Sequence, residues 1–447
     1  MMTRSRCAVR MPIFWISLLL VVMLVPVGKT ALAQALPAAE ASPISTGFAL
    51  PTTLGSLQYA ISGSQSLIWG YYGSGVGSST NLSGDIAYLS NSKQHPFSMI
   101  FAGGHSFSES GQASYTYLNL GFSQVANLGR WNFVLSDNVS YLPGTPAAGL
   151  SGVPGVGDLG VNPVQLGGDT GQGVLTNFSN RVTNTAAGSA QRQLTGKTSL
   201  SASGSYSTSR FLDSTITSSN TSSAGLDSSG WTAGAGVNHQ VDARNSFGGN
   251  YSYSNFSYPG NNLGLSTSGF VSQTVSADYS RQLTHKLKMS VAAGPQWTSL
   301  GSGGGGTATS LFADADANYA GKSASSSLIF VRSTNNGYGT AGGAVSDSAA
   351  FNVSRTFAVV WSASASASYS RSSNLPVAGL APFTIDTTVE SIQISRAIAR
   401  SLSGYASYTL EHQSNPGTAT VDVFSGLSQV VGFGLTFSPS ALHLGRQ

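Results

Sequence analysis

Few residues of this chain have the types and spacing that enzymatic chemistry needs. The segment Gly196-Lys197-Thr198 looks like the end of a phosphate-binding loop, but Gln191 stands where the leading glycine belongs. The 6 histidines show no metal-ligand spacing, and no G-x-S-x-G nucleophile motif occurs. A Ser/His/Asp set stays an alternative because serine is everywhere. We nevertheless expect a protein that is not an enzyme and that has no cofactor.

The charged residues that remain as binding candidates lie in segments that alternate between polar and apolar positions. Such side chains would project into an aqueous interior if the segments are strands of a closed sheet, because successive residues of a strand point to opposite faces. The candidates for this lumen-facing wall are Asp85, Asp278, Lys286, Lys288, Asp314, Asp316, Ser364 and Ser366.

The elements that must position these residues are strands of period two. In the segment 361–369, Trp361, three alanines and Tyr369 share one face, and four serines form the other. Eight steps of about 3.3 Å, tilted by roughly 40°, rise about 20 Å along a membrane normal. An apolar column of that height with an aromatic residue at each end is typical of a barrel wall and its girdles. The expected girdle residues are Trp131, Trp231, Trp297, Tyr319, Trp361 and Tyr369.

The same alternation recurs along the chain and predicts about 18 strands, with 16 as the alternative count. One segment departs from it, because Asp137 falls on the apolar face, which a bulge or an exit from the membrane would explain. Short turns with a Ser-Arg pair, as at Arg281, Arg355 and Arg396, alternate with long Gly/Ser/Asn-rich connections. Short turns on one side and long loops on the other are typical of outer-membrane barrels.

The composition and the N-terminus indicate export. Charged residues are 9% of the chain, against about 25% in soluble domains. Residues 1–33 carry basic residues, an apolar run and then Ala31-Leu32-Ala33, which is the order of a cleaved signal peptide. Without them, basic and acidic residues are equal in number, so nothing indicates a nucleic-acid partner. The single cysteine, Cys7, lies within this segment.

At this level the chain resembles the bacterial outer-membrane β-barrels of the porin-like class. The resemblance covers most of residues 55–437 and rests on strand pattern, short turns and a terminal strand with Gly432, Leu435 and Phe437. It implies an all-β fold: a single antiparallel transmembrane barrel, inserted into outer-membrane lipid by the barrel-assembly machinery of a Gram-negative-type bacterium. Residues 34–54 would be a short periplasmic segment and residues 438–447 a C-terminal tail.

The longest connection, from Leu142 to about Phe178, is the third on the long-loop side. The third loop of general porins folds inward, and this resemblance suggests a constriction that carries Asp158 and Asp169. A surface-exposed loop is the equal alternative.

Function is predicted only in outline. A barrel of 16 or more strands is wide enough for an aqueous channel, and a hydroxyl-rich lumen suits passive diffusion of small, mostly neutral hydrophilic solutes. The alternatives are a structural or adhesive barrel that acts through its loops, and a secreted Ser/Gly-rich β-solenoid. The sequence gives no sign of the oligomeric state.

Overall fold

The computed structural model describes residues 55–70, 75–92, 94–108, 114–142, 180–212, 227–259, 269–301, 306–337, 342–375, 383–414 and 425–444. Within these ranges no helix has the length and apolarity to cross a membrane. The predicted segments 1–33 and 34–54 lie outside the described residues, as do Asp158 and Asp169.

The described residues form a succession of strands. They are β1 (Gly55–Trp69), β2 (Val76–Ser90), β3 (Phe97–Ser108), β4 (Tyr115–Leu128), β5 (Trp131–Leu142), β6 (Arg181–Gln193), β7 (Thr198–Phe211), β8 (Ser228–Gln240), β9 (Asn245–Ser257), β10 (Gly269–Thr284), β11 (Leu287–Leu300), β12 (Thr307–Ala320), β13 (Ala324–Asn335), β14 (Ala344–Phe357), β15 (Trp361–Asn374), β16 (Thr384–Ala399), β17 (Leu402–Ser414), β18 (Gly426–Phe437) and the short β19 (Leu442–Leu444).

The sheet closes on itself as a single antiparallel barrel. Each strand from β1 to β18 pairs with the next one along the chain, and β18 returns to β1 with the register Ile61↔Phe437 to Trp69↔Gln429. The predicted all-β barrel of 18 strands is therefore confirmed, and the alternative count of 16 is wrong. Closure removes every free edge from the wall, which a structure in lipid requires.

The three-residue strand β19 lies in the predicted C-terminal tail. It pairs with Gly55–Leu57 at the start of β1, where β18 has already ended. From Phe437 to Leu442 the chain advances by five residues, while the partner position on β1 moves by four, from Ile61 to Leu57. Strand β19 therefore continues the direction of β18 after one extra residue. The tail thus extends the closing seam.

From β4 onward short and long connections alternate along the chain, as predicted, whereas the first three connections have six residues each. Three of the described turns have only two residues, and in one of them, Gly129–Arg130, Gly129 has φ +61°, a conformation that a glycine adopts without steric cost. The predicted position of the Ser-Arg pairs is wrong by two or three residues. Arg281, Arg355 and Arg396 lie inside the last steps of β10, β14 and β16, and the turns follow them.

The outward face of the barrel is apolar and exposed. Large side chains such as Leu135, Leu311, Phe330 and Phe433 have relative exposures of 39% or more. A side chain of this size forgoes roughly 1.5–3 kcal/mol when it stays in water, so a continuous belt of them requires an apolar solvent. The inward face carries the serines, threonines and amides, and the barrel is therefore built inside out relative to a soluble sheet.

Asp137 is one exception to this belt, and Glu390, which pairs with Ala367 and Leu410, is another. The register from Phe122↔Asp137 to Asp137↔Ala186 is regular, so the suggested bulge is absent. The Asp137 carboxylate lies on the outward face and accepts a hydrogen bond of 2.6 Å from Nδ2 of Asn184.

Candidate functional site: the lumen and its narrowed mouth

The lumen wall of β15 and β16 carries the hydroxyls that the alternation predicted. Ser364 is exposed on this wall, and Ser366 Oγ lies 2.7 Å from Ser391 Oγ on the next strand. A second pair, Ser362 and Ser395, is 2.6 Å apart. Neighbouring hydroxyls therefore satisfy part of their hydrogen-bonding capacity within the wall, which leaves a polar surface without a formal charge.

The acidic candidates Asp278, Asp314 and Asp316 form one group across β10, β11 and β12. Ser290 on β11 donates a hydrogen bond to Asp316, and Asn318 Nδ2 donates a second one of 2.6 Å. Ser276 Oγ donates to Asp278 Oδ1 over 3.3 Å. Asp314 lies within electrostatic range of the other two carboxylates. Sequence placed these residues on one face, and the pairing of the three strands brings them together.

The basic candidates lie nearer the short-turn end of the same wall. Lys288 is on the lumen face of β11, and Lys286 is in the turn before it. With Arg244 and His285 they line a cavity of about 430 Å³, whose fifteen lining residues include five side-chain amides and no carboxylate. The wall thus carries an acidic group and a basic group next to each other along the strands, since Asp316 and Lys288 are two positions apart in the β11–β12 register.

Asp85 is placed differently from the other acidic candidates. It lies on β2, on the far side of the closing seam from β10–β12, and is only 2% exposed. Nearby Tyr117 lies over Gly104 of the neighbouring strand, and Tyr405 lies over Gly434 in the same way. A Cβ on either glycine would come within 2.7 Å of the tyrosine hydroxyl, so both glycines make room for an inward ring.

The long-loop end of the lumen is narrowed by residues 334–337, where β13 runs into the seventh long loop. Of this connection between β13 and β14 the structure describes 336–337 and 342–343. β12 pairs with β13 only from Ala313↔Arg332 downward, so the tip of the β13–β14 hairpin is free of β12. Thr334 Oγ1 donates to Gln296 Oε1 on β11 over 2.9 Å. Asn336 Nδ2 donates to Ser228 Oγ on β8 over 3.0 Å. The hairpin tip therefore crosses the lumen faces of several strands.

An apolar cluster fixes this arrangement. Its centre is Tyr258 of the fifth loop, Phe270 of β10 and Leu375 of the eighth loop, each at most 5% exposed, and Phe256, Leu300 and Val345 pack around them. Tyr258 donates its hydroxyl to the carbonyl of Asn336 over 3.1 Å, and Leu375 N donates to Gly343 O over 3.0 Å. Burial raises the pKa of the Tyr258 hydroxyl, which keeps it protonated as a donor.

Gly343 is required where the seventh and eighth loops meet. Its φ is +110°, and a Cβ there would lie 2.6 Å from Leu375 and 2.7 Å from the ring of Phe270. The backbone at Gly343 thus lies directly against Leu375 and Phe270, a close approach that only a residue without a side chain permits.

Sequence reasoning missed this mouth. It suggested a constriction in the third loop, with a surface loop as the alternative, and Asp158 and Asp169 of that loop are outside the described residues. It identified 335–343 only as a long connection and gave it no role in the lumen. One signal was present, because Phe270 has the same parity as Ser272, Thr274, Ser276 and Asp278 and so interrupts a polar face. The long-range partners of Asn336 and Leu375 had no local signal.

The six predicted girdle residues all lie on the outward face and are 36–45% exposed. Trp131, Tyr319 and Trp361 are at the short-turn ends of their strands, and Trp231, Trp297 and Tyr369 are nearer the long-loop ends. Two of the arginines near turns pack on them. The guanidinium carbons of Arg192 and Arg396 are 5.3 Å from the ring centres of Trp131 and Trp361. Cation–π contacts of this kind suit an amphipathic boundary.

The terminal-strand residues Gly432, Leu435 and Phe437 lie on β18 at the seam. Leu435 and Phe437 are 52% and 44% exposed on the outward face, and Gly432 pairs with Ser66 of β1. Among the described residues no group of three His, Cys, Asp or Glu is arranged to hold a metal ion.

Comparisons with known proteins give structural neighbours but no sequence relatives. No protein-family model matches the chain, and no curated protein matches it. The crystal structure of Pseudomonas aeruginosa OpdL is similar, with a TM-score of 0.41, 11% identity, and coverage of 87% of this chain and 99% of that one. P. aeruginosa OccK2 (OpdF) has a TM-score of 0.42 and 9% identity, with 86% and 98% coverage. Acinetobacter baumannii OccAB3 has 0.40 and 10%, with 86% and 99%. The barrel topology stands on the strand pairing alone.

Proposed function

We propose that this chain is a porin-like channel of a bacterial outer membrane, through which small and mostly neutral hydrophilic solutes diffuse passively. The observation that carries the proposal is a closed barrel of 18 strands whose outward face is apolar and whose inward face is hydroxyl- and amide-rich. A barrel of this size encloses an aqueous path. The acidic and basic groups of the β10–β12 wall offset one another, which agrees with weak charge selection.

Export to the outer membrane is part of this proposal. It is supported by the basic–apolar–small order of residues 1–33 and by the terminal strand that ends in Phe437. The assembly machinery would recognise that strand, and outer-membrane lipid would contact the apolar belt. Heat-modifiable migration on gels and trypsin resistance in detergent test the barrel, and cell fractionation tests its location.

Planar bilayers test the channel itself. Purified full-length protein should give stable conductance steps with reversal potentials close to zero in a salt gradient of potassium chloride. Silence under conditions in which a control porin conducts would contradict the proposal. A large reversal potential would support a channel but contradict its preference for neutral solutes.

The third loop enters the proposal as a second narrowing element. Its length and its Gly/Pro composition support this role, and deletion of residues 145–175 should raise the conductance of each channel. Unchanged conductance would leave the third loop as a surface loop and the seventh loop as the constriction.

A structural or adhesive barrel is the second candidate. It is favoured by the mouth, where Tyr258 of the fifth loop and Leu375 of the eighth loop each form a hydrogen bond to the seventh loop. Such a barrel would not conduct, but its loops would bind to cells or surfaces. A binding assay that compares the full protein with a loop-deleted variant distinguishes the adhesive barrel from the channel.

A further inference from the structure

Four charged residues form a row of alternating sign on the outward face of β13 to β16. Their order is Arg332, Asp347, Arg371 and Asp386, and each lies directly opposite the next in the register of neighbouring strands. Arg332 Nη1 is 3.0 Å from Asp347 Oδ1, and Arg371 Nε is 3.9 Å from Asp386 Oδ1. The solvent exposures of these side chains are 30–55%, although they lie on the lipid side of the wall.

The charged row lies at the upper boundary of the apolar belt. On β15, Arg371 follows the column of Trp361, Ala363, Ala365, Ala367 and Tyr369 by one outward position. Ten residue steps from Trp361 correspond to about 25 Å along the membrane normal, which is the height of the apolar band of a barrel. Arg371 is therefore at the level of lipid headgroups at the long-loop end.

The four side chains of the row differ in the hydrogen bonds and ion pairs that they form within this chain. Arg332 Nη1 donates to both carboxylate oxygens of Asp347, at 3.0 and 3.2 Å. Asp386 accepts a 2.7 Å hydrogen bond from the Tyr369 hydroxyl. In the described part of the chain, Arg371 has only the 3.9 Å ion pair, and its side chain is 55% exposed. Its planar fork of donors is available to an acceptor outside the chain.

We propose that the charged row binds the phosphate groups of outer-leaflet lipid together with a divalent cation. This rests on the proposed membrane location but not on conduction. Guanidinium groups bind phosphate oxygens in bidentate fashion. The carboxylates of Asp347 and Asp386 would repel a phosphate unless a cation lay between them, and Mg²⁺ and Ca²⁺ prefer such oxygen ligands. Alternating signs thus suit a phosphate lattice bridged by cations better than phosphate alone.

A second copy of the chain fits this row less well. Directly paired residues run perpendicular to strands that tilt by roughly 40° in a barrel wall. Two copies in the same membrane orientation would therefore cross their rows at about 80°, and only Asp347 and Arg371 at the centre would meet. A lipid headgroup moves freely along the row and has no such constraint.

Native mass spectrometry of the full-length barrel tests the proposal. The probes are lipid A with its phosphates and the same lipid A after enzymatic removal of the phosphates, each with Mg²⁺. We expect the phosphorylated lipid to bind the wild type better, and Arg332→Gln/Arg371→Gln to weaken its binding by about tenfold for each charge-assisted hydrogen bond lost. Asp347→Asn/Asp386→Asn should remove the Mg²⁺ dependence of binding.

Arg210 provides the matched control. It is an exposed arginine near the long-loop end of β7, opposite Val182 rather than an acid. Arg210→Gln should leave phosphate-dependent binding unchanged. Equal binding of both lipids by the wild type, or equal loss in the Arg210 variant, would overturn the proposal. A disulfide-linked dimer from Ala349→Cys, but not from Ala235→Cys on β8, would replace lipid by a second copy. Bilayer conductance of the same variants keeps failure of the channel separate from failure of lipid binding.

Discussion

The two ends of β11 show how differently one polar face can be treated along a single strand. Near the short-turn end, Lys288 is exposed to the lumen and lines an open cavity. Near the long-loop end, Gln296 and Thr298 are 5% and 1% exposed. Gln296 donates to Thr274 and accepts from Ser310 and Thr334, the last of these on the inward hairpin. The difference is made by the loops, since the inward residues at both ends of the strand, Lys288 and Ser290 at one and Gln296 and Thr298 at the other, are polar.

This contrast assigns different properties to the two ends. Hydrogen bonds and apolar contacts at the long-loop end determine how wide the path is. Charged side chains at the short-turn end are free to act on a solute or ion once it is inside. Changes at the first end should therefore alter conductance, and changes at the second should alter selectivity.

The largest effect is expected from the seventh loop. Replacement of residues 336–343 by a two-residue Asn-Gly turn removes the Asn336 contacts to β8 and to Tyr258, so single-channel conductance should rise severalfold. The measurement is a planar-bilayer recording. Removal of two glycines from the run Gly303–Gly306 on the same rim is the control and should have little effect. Equal conductance of wild type and loop-shortened protein would mean that the contrast between the two ends does not control flow.

Phe270→Ala should act on stability at the same end. Because the ring is only 2% exposed, its removal should cost about 3–5 kcal/mol of unfolding free energy. The loops it holds should also fluctuate, which adds open-channel noise. Urea unfolding in lipid vesicles measures the first effect and bilayer recording the second. Phe247→Ala, which removes a lipid-facing ring near the short-turn end of β9, is the control: it also loses contact with the lipid but should leave the open-channel noise unchanged.

The alternation of the strands was enough to predict the barrel, because period-two segments such as 361–369 identify both faces and the strand number together. It also placed Asp278, Asp314 and Asp316 on one face, and adjacent strands then had to bring them close. The mouth was not predictable in this way. The contacts of Asn336 with Ser228 and of Leu375 with Phe270 join residues about a hundred positions apart, in segments without periodicity.

The predicted turn positions were wrong for a similar reason at Arg281, Arg355 and Arg396. A Ser-Arg pair looks like turn chemistry, yet in the structure these arginines end the strands. For Arg396 the reason is visible, because its guanidinium packs on the ring of Trp361 on the neighbouring strand. Local sequence does not contain this cross-strand partner.

Selectivity should respond at the short-turn end by a moderate amount. A unit charge about 4 Å from a passing ion contributes roughly 1–4 kcal/mol between an effective dielectric of 80 and 20. Asp278→Asn/Asp314→Asn/Asp316→Asn should therefore shift the reversal potential toward anions, and Lys286→Gln/Lys288→Gln toward cations. Both shifts should fade in 1 M salt, where the Debye length is about 3 Å. Shifts of the same sign in both variants would contradict two separate charge groups.

The smallest effect is expected from the turn that carries Arg244 into the basic cavity. The Asn245 side chain and the backbone N–H of Arg244 donate to the Asp242 carboxylate and lower its pKa below the usual value. A lowered pKa means that the carboxylate supports the turn fully above the unfolded-state value of about 3.9 and ceases to do so as pH falls through the folded-state value. An NMR titration of the carboxyl chemical shifts should give Asp242 a lower pKa than that of aspartate in model peptides. Asp242→Asn should abolish the titration and leave conductance unchanged, since the seventh loop is at the opposite end. A conductance change in this variant would show that the two ends are coupled.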